Sequence, residues 1–305
     1  MRVLITGSNG FIGRKVMNKM IMSGMEVAGL DKTYQETTPG DHYAVDLLNE
    51  SALLRVMAEY EPEAIIHLAA MASVRDGMVN PHWYVRNNIT GTINLLQSMR
   101  PPASRFVFAA SGGTAYGNKS LVNMPFTSND STDPEDTYGI TKVSGESFVK
   151  LFSKMAKIEW FNLRLPNVYG PGQSGDGEAG VVAIFAKAML SGRKLVINGD
   201  GEQTRDFAYV TEVADWFVEF ASRDGYQPGV YNVGSGNRTS VNQIMEKLVK
   251  LTGYTGPIVH GPPKNGEVRD VWLDVDCHCH LVPLDDGLQR TVDWFKKELG
   301  YVRPD

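Results

Sequence analysis

Cysteine is nearly absent: the 305 residues hold only Cys277 and Cys279, too few and too close together for a disulfide framework. No apolar run approaches the roughly 18 residues of a membrane span. The opening MRVLIT has neither the charged head, the long apolar stretch nor the small-residue cleavage site of a signal peptide. Positive charge is not in excess either. Lysine and arginine number 30 against 35 acidic residues, a net charge of −5, whereas a nucleic-acid footprint shows as a basic patch. These absences predict a cytoplasmic protein with no membrane and no nucleic-acid partner. They leave room for a small phosphorylated ligand, which needs only one or two arginines. No repeat or low-complexity tract is present. The apolar content of 42% and charged content of 21% are ordinary for a globular chain.

What is there is an alternation of short β-rich runs and helical patterns. Strands are expected over Arg2–Thr6, Glu26–Leu30, Ala64–Leu68, Arg105–Ala109 and Glu159–Leu165. Helices are expected over Phe11–Ser23, over Tyr84–Met99 and after Thr137. Apolar strands between helices read as βαβ units around a parallel sheet buried on both faces, an α/β, doubly wound, Rossmann-like fold. After Pro166 the elements shorten and mix: Val181–Leu190, Lys194–Ile197, Thr211–Ser222 and Val241–Leu251. This predicts a first domain over 1–166 and a smaller mixed α/β lobe over 167–305, with Val230–Val233 returning to extend the main sheet. Residues 170–177, rich in glycine, form a loop.

Directly after the first strand stands Gly7-Ser-Asn-Gly10-Phe-Ile-Gly13, opening a helix. That spacing permits a tight turn, close approach of backbone to a pyrophosphate, and an anion resting on free N–H groups at the helix's positive end. Asp31 ends the second strand where an acid grips the adenosine ribose 2′-OH. A carboxylate there repels a 2′-phosphate, so NAD is favoured over NADP; Lys32 beside it pulls the other way. A plain turn-forming role for Asp31 is the bland alternative.

Tyr138-Gly-Ile-Thr-Lys142 puts a phenol and an ammonium at i and i+4 on one helix face. Free tyrosine, with a pKa of about 10, is a poor base at neutral pH. A neighbouring lysine cation is expected to lower that pKa and make Tyr138 a general acid/base. Spacing alone equally fits a surface tyrosine above a solvated lysine. Ser111, ending a strand in Ala109-Ala-Ser-Gly-Gly-Thr-Ala-Tyr-Gly117, breaks the tie by offering a hydroxyl to the substrate oxygen.

With these residues in place the chain resembles the extended short-chain dehydrogenase/reductase family, in its sugar-nucleotide epimerase and dehydratase branch. The resemblance runs through Gly7–Gly13, Asp46-Leu47, His67-Leu-Ala-Ala70, Asn88-Ile-Thr-Gly-Thr92 and Tyr138-x-x-x-Lys142. It continues through Arg164-Leu-Pro-Asn-Val-Tyr-Gly-Pro171 and Gly199-Asp-Gly-Glu-Gln-Thr-Arg-Asp-Phe207. It implies that Asp46 and Leu47 hold the adenine and that Leu68, Ala69 and Ala70 line the NAD. It further assigns Phe11, Ile12, Asn88 and Pro166, with Tyr138 and Lys142, to the cofactor. Asn167, Val182 and Arg205 are assigned to the sugar nucleotide, and a homodimer through helices Tyr84–Met99 and Thr141–Met155 is implied.

Two departures stand out. Many relatives place the catalytic hydroxyl four residues before the tyrosine that is Tyr116 here, and that position is Gly112. Ser111 is the first candidate instead, with Thr114 as its rival. Lys264-Asn-Gly-Glu267 stands where Arg-Pro-Gly-Asp is common, so Arg269 is expected to share phosphate binding with Lys264. No metal is expected. Four consecutive residues, Cys277-His-Cys-His280, cannot easily close on one tetrahedral zinc. His67 reads as a packed strand residue rather than a base.

The resemblance therefore implies an NAD-dependent epimerase acting at C4 of a UDP-sugar through a 4-keto intermediate. The alternatives are an NAD(P)H-dependent 4-keto-sugar nucleotide reductase and a non-catalytic nucleotide-binding module. Dehydration is not expected, because Gly112-Gly-Thr-Ala115 holds no carboxylate where family dehydratases carry a Thr-Asp-Glu type run.

Overall fold

The computed structural model describes residues 1–35, 40–118, 124–177, 180–263, 268–276 and 281–301. Six strands lead the chain: β1 (Arg2–Thr6), β2 (Glu26–Asp31), β3 (Asp41–Ala44), β4 (Ala64–His67), β5 (Arg105–Ser111) and β6 (Glu159–Leu165). With Gly229–Asn232 they form one sheet in the order Gly229–Asn232, β6, β5, β4, β1, β2, β3. Every pairing in it is parallel. The chain runs outward from β1 to β3 and then crosses back to β4. The crevice beyond the carboxyl ends of β1 and β4 is where ligands bind in doubly wound sheets.

Side chains alternate across the strands, as period-two geometry requires. Val3 and Ile5 pack with Val16, Met17, Val213, Trp216 and Phe217 on one face. Leu4 and Ile65 pack with Leu53, Met57, Leu95 and Phe106 on the other. Both faces are therefore dry, which explains why the strands read as near-continuous apolar runs. Helix Val210–Ser222 lies past residue 166 in sequence, yet it packs into the core beneath β1. The return of Gly229–Asn232 to the sheet edge matches the expectation for 230–233. A second core gathers helices Val181–Leu190, Val241–Thr252 and Leu284–Glu298 around the strand pair Leu195–Asn198 and Ile258–Gly261. Among the described residues no helix is long and apolar enough to cross a membrane.

Among the elements outside those expected are β3, a half-exposed strand with the sequence DHYA, and helix Glu50–Tyr60, capped by Asn49 Oδ1 accepting from Ala52 N at 3.1 Å. The helix expected over Tyr84–Met99 is divided. Pro81–Tyr84 is followed by a π-helical segment, Val85–Thr90, and then by Gly91–Ser98. A π turn inserts an extra residue and often marks a functional site.

Helix Thr137–Ala156 is fastened to β6 by a buried ion pair. Arg164 Nε donates to Glu146 Oε1 at 2.9 Å and Nη2 to Oε2 at 2.8 Å. Arg164 Nη1 also donates to Tyr116 Oη at 2.9 Å, and Tyr116 donates to Asn232 Oδ1 at 2.5 Å. Removing one partner leaves an uncompensated charge away from water. Glu146→Ala is therefore expected to cost about 3–5 kcal/mol in urea unfolding, and Glu146→Gln less. A loss under about 1 kcal/mol would instead mark a solvent-screened pair.

Candidate active site

The glycine turn is a cradle shaped by missing side chains. Gly7 sits at φ +71°, and a Cβ there would come within 2.7 Å of the Ala69 nitrogen. A Cβ on Gly13 would overlap the Gly7 carbonyl. Gly10 caps helix Phe11–Met22 with no side-chain partner, so Phe11 and Ile12 open that helix at its positive end. These positions fit a pyrophosphate, which needs bare backbone at close range.

Asp31 ends β2 beside the turn: its Oδ2 accepts from Asn9 N at 3.0 Å and its Oδ1 from Lys32 N at 2.7 Å. The Lys32 ammonium turns to the next acid along, 3.5 Å from Asp46 Oδ2 and 2.8 Å from Asn87 Oδ1. The half-exposed cation is thus shared among Asp46, Asn87 and the Trp83 ring. Leu47 is buried beside them, and its carbonyl accepts from Asn94 Nδ2 at 3.0 Å. Leu68, Ala69 and Ala70 leave β4 directly against Gly7, with Leu68 N donating to Thr6 O at 3.1 Å. Asn88, expected at the cofactor, spends its amide on protein: Nδ2 donates to Met71 O at 3.0 Å and to Thr141 Oγ1 at 2.9 Å.

The three candidate hydroxyls converge. Thr114 Oγ1 donates to Ser111 Oγ at 2.9 Å, and Ser111 is hydrogen-bonded to the Tyr138 phenol. Ser111 is the middle group, in contact with the tyrosine, and Thr114 stands behind it. At Gly112 a Cβ would come within 2.7 Å of Leu273 Cδ1 and 3.2 Å of the Leu165 carbonyl, so a side chain there would have to displace the Leu273 methyls. Asn167 is next to the same turn, its Oδ1 3.6 Å from where a Gly113 Cβ would be. Buried Pro166 leads into it from β6.

The electrostatics correct one expectation. A lysine cation was to draw the Tyr138 pKa down. Burial dominates instead and pushes the phenol up to about 12, against the Ser111 hydrogen bond that lowers it. Burial likewise pushes Lys142 down to about 7, opposed by the Glu146 carboxylate one turn along. The Lys142 Nζ rests 4.5 Å from the centre of the Phe108 ring, in a cation–π contact. Desolvation disfavours whichever form carries charge, and both groups feel it.

On the other wall, Arg205 is clamped to backbone. Its Nη1 donates to Thr204 O at 2.8 Å and to Arg269 O at 2.9 Å, and its Nη2 to Val268 O at 2.6 Å. Arg269, more than half exposed, pairs with Asp200 at 3.0 Å. Val182, expected to meet the substrate, stands in the first turn of helix Val181–Leu190 with its side chain in the second core, at 1% exposure. Lys264 and Cys277-His-Cys-His280 lie outside the described residues. His67 is a packed strand residue, as expected, held near a pKa of about 3 by burial and the nearby Lys142. Thr141 and Glu146 were missed in the sequence, although helical spacing from Tyr138 and Lys142 places both next to the site.

The chain is similar to known proteins along most of its length. A family model described as the NAD dependent epimerase/dehydratase family matches residues 3–234. A putative UDP-glucose 4-epimerase of Methanocaldococcus jannaschii is 34% identical over 304 residues, covering 96% of this chain and 98% of that one. The structure of UDP-glucose 4-epimerase from Thermotoga maritima with UDP-glucose superposes with a TM-score of 0.93 at 34% identity, covering 98% and 100% of the two chains. The Thermus thermophilus UDP-glucose 4-epimerase in complex with NAD gives a TM-score of 0.88 at 29% identity, with 97% and 99% covered.

Lys142 makes stability depend on pH with a definite sign. The folded protein releases this proton near pH 7, against 10.5 for an ordinary lysine. Between those values the unfolded chain binds more protons, so raising the pH favours the fold. Without added cofactor, the stability of wild type relative to Lys142→Met is expected to climb across that window. A flat difference would show that Lys142 is hydrated in the fold.

Proposed function

The chain belongs to the NAD dependent epimerase/dehydratase family, and from that premise we propose that it is an NAD-dependent sugar-nucleotide epimerase that inverts C4 of a UDP-sugar through a 4-keto intermediate. The observation that carries this reading is the Ser111–Tyr138 hydroxyl pair, joining the carboxyl end of β5 to helix Thr137–Ala156, with Asn167 beside the turn that follows Ser111. The 4-epimerases among the relatives act on UDP-sugars, as in the Thermotoga enzyme with UDP-glucose, while one relative at 26% identity is a dTDP-4-dehydro-6-deoxyglucose reductase.

Gly7, Gly10 and Gly13 would hold the pyrophosphate of NAD, Asp31 its adenosine ribose, Asp46 its adenine, and Leu68–Ala70 its flank. When bound, NAD supplies a reversible hydride acceptor and, in its oxidised form, a positive charge that lowers the phenol pKa. Tyr138 takes the C4 hydroxyl proton as that carbon becomes a ketone, and returns it when the ketone is reduced on its other face. Ser111 holds the same oxygen in line. Lys142 sets the local charge one turn away. Arg205, fixed in orientation by its three carbonyls, meets the diphosphate, with Arg269 beside it. The carboxylate at Asp31 suits a redox-neutral cycle on NAD better than consumption of NADPH, which weighs against the reductase alternative.

A homodimer goes with this reading. Ile140, Leu151 and Met155 form an exposed apolar stripe on helix Thr137–Ala156, flanked by exposed Met78 and Val79. A second copy of the chain would cover it. Sedimentation equilibrium is expected to return twice the chain mass, and a monomer at micromolar concentration would remove this part.

The function is tested by incubating the protein and NAD with UDP-glucose, UDP-N-acetylglucosamine, UDP-glucuronate and their GDP and CDP counterparts. Products are followed by NMR and the cofactor by its reduced-form absorbance. A C4-inverted product with flat absorbance is expected. Tyr138→Phe should lower turnover by about 10²-fold or more, and Ser111→Ala should cost more than Thr114→Val. Stoichiometric NADPH oxidation on a 4-keto sugar, with no epimer from any substrate, would overturn the reading.

A further inference from the structure

His67 ends β4 and takes no part in the reaction described. It is fully buried, with its ring 6.0 Å from Phe106 and 5.6 Å from Phe108, yet both nitrogens are bonded. Nδ1 lies 2.6 Å from Thr6 Oγ1 and Nε2 2.8 Å from Thr92 Oγ1. The neighbours decide where the protons are, because a threonine hydroxyl has one to give. Thr92 gives its proton to the Asn88 carbonyl at 2.6 Å, so Nε2 must be the donor to Thr92. Thr6 Oγ1 accepts from Ala69 N at 3.3 Å, which leaves its own proton for Nδ1. One neutral tautomer satisfies every bond. The result is a one-way chain from Ala69 N–H through Thr6, His67 and Thr92 to Asn88 C=O.

The chain continues past Asn88, which lies in the π-helical segment. Its Oδ1 accepts from Met71 N at 2.8 Å, and its Nδ2 reaches Met71 O and Thr141 Oγ1. Thr141 in turn donates to the Tyr138 carbonyl at 2.8 Å. Ala69 and Met71, within the strip beside Gly7, thus share one continuous set of hydrogen bonds with the residue that moves the proton. His67 joins its two halves.

We propose that His67, acting through Thr6 and Thr92, is a positioning residue that sets the segment Leu68–Met71 against the first turn of helix Thr137–Ala156. This rests on the cofactor and Tyr138 roles given above. A ring sealed at 0% exposure touches neither substrate nor cofactor. It fixes the distance between the strip that would flank the cofactor and the phenol that works beside it. An error of about 1 Å in such placement can cost 10²-fold in rate.

Thr92→Val removes the hydroxyl and keeps the shape, whereas Thr92→Ser keeps the hydroxyl and drops a methyl. Each is compared with wild type for NAD affinity by calorimetry, melting temperature, and kcat against KM on the converted sugar nucleotide. Thr92→Val is expected to weaken NAD binding and lower kcat by about tenfold or more each, with KM for the sugar nucleotide little changed. Thr92→Ser should restore both. Thr6→Ala breaks the chain at its other end and should repeat the Thr92→Val pattern if that variant does not fold. Nitrogen-15 NMR of the wild type should show His67 neutral with its proton on Nε2. Normal NAD binding and kcat in Thr92→Val, a harmful Thr92→Ser beside a benign Thr92→Val, or a proton on Nδ1 would each overturn the proposal while the function stands. Failure of the wild type to bind NAD would overturn the function and this role together.

Discussion

Glu146 and Arg164 exchange two charge-assisted hydrogen bonds where water does not reach, and this pair ties helix Thr137–Ala156 to β6. Tyr138, Lys142 and Glu146 follow one another at four-residue steps, so a single inner stripe carries the phenol, the ammonium and the anchoring carboxylate. The anchor also governs charge. Arg164 engages both oxygens of Glu146, which keeps that carboxylate from pairing fully with Lys142 one turn away. Lys142 is left with the Phe108 ring face and a pKa pulled down to about 7. The bond that holds the helix in place thereby keeps its lysine responsive.

The phenol and the ammonium are each pressed toward neutrality by the same burial. A neutral pair cannot drive proton removal, yet a site that permanently stabilised phenolate would return the proton poorly. Desolvation leaves both groups sensitive to any charge that arrives nearby, because interactions strengthen where the effective dielectric is low. His67 must stay uncharged for this to work, since an imidazolium beside Lys142 would drive the lysine lower still. Its burial and its two threonine partners hold it in the neutral form.

Much of this was legible in the sequence, for physical reasons that also mark where legibility ended. Strands buried on both faces carry long apolar runs, so β1 and β6 were bounded to the residue and the return of Gly229–Asn232 was foreseen. β3 was not, because an edge strand half in water, with the sequence DHYA, has no apolar signature. The π-helical segment at Val85–Thr90 was hidden too, since its extra residue leaves helical composition unchanged. At the candidate site, the placing of Asp31 beside the glycine turn and of the hydroxyls of the 111–116 stretch near Tyr138 follows from short runs of sequence at strand ends and helix starts. The Thr6–His67–Thr92 chain joins residues 61 and 25 positions apart, which only the tertiary fold brings together. The downward shift expected for Tyr138 failed because spacing carries no information about burial.

The glycine at 112 links packing to the choice of reaction. Leu273, reaching over from the second half of the chain, and the Leu165 carbonyl crowd the place a Cβ would take, so a side chain there would have to move the Leu273 methyls. The hydroxyl bonded to the Tyr138 phenol stands one residue back, on Ser111 at the strand end, with Thr114 one short turn on donating to it. What gathers at this turn is three hydroxyls, those of Thr114, Ser111 and Tyr138, with no carboxylic acid in Gly112-Gly-Thr-Ala115. Such a set can take a proton from an oxygen and put it back on the same oxygen, because each hydroxyl both donates and accepts. It has no acid within the turn to protonate a departing hydroxyl group. A turn emptied of side chains by close packing thus favours a cycle that leaves every oxygen on the sugar and changes only the face on which one hydrogen stands.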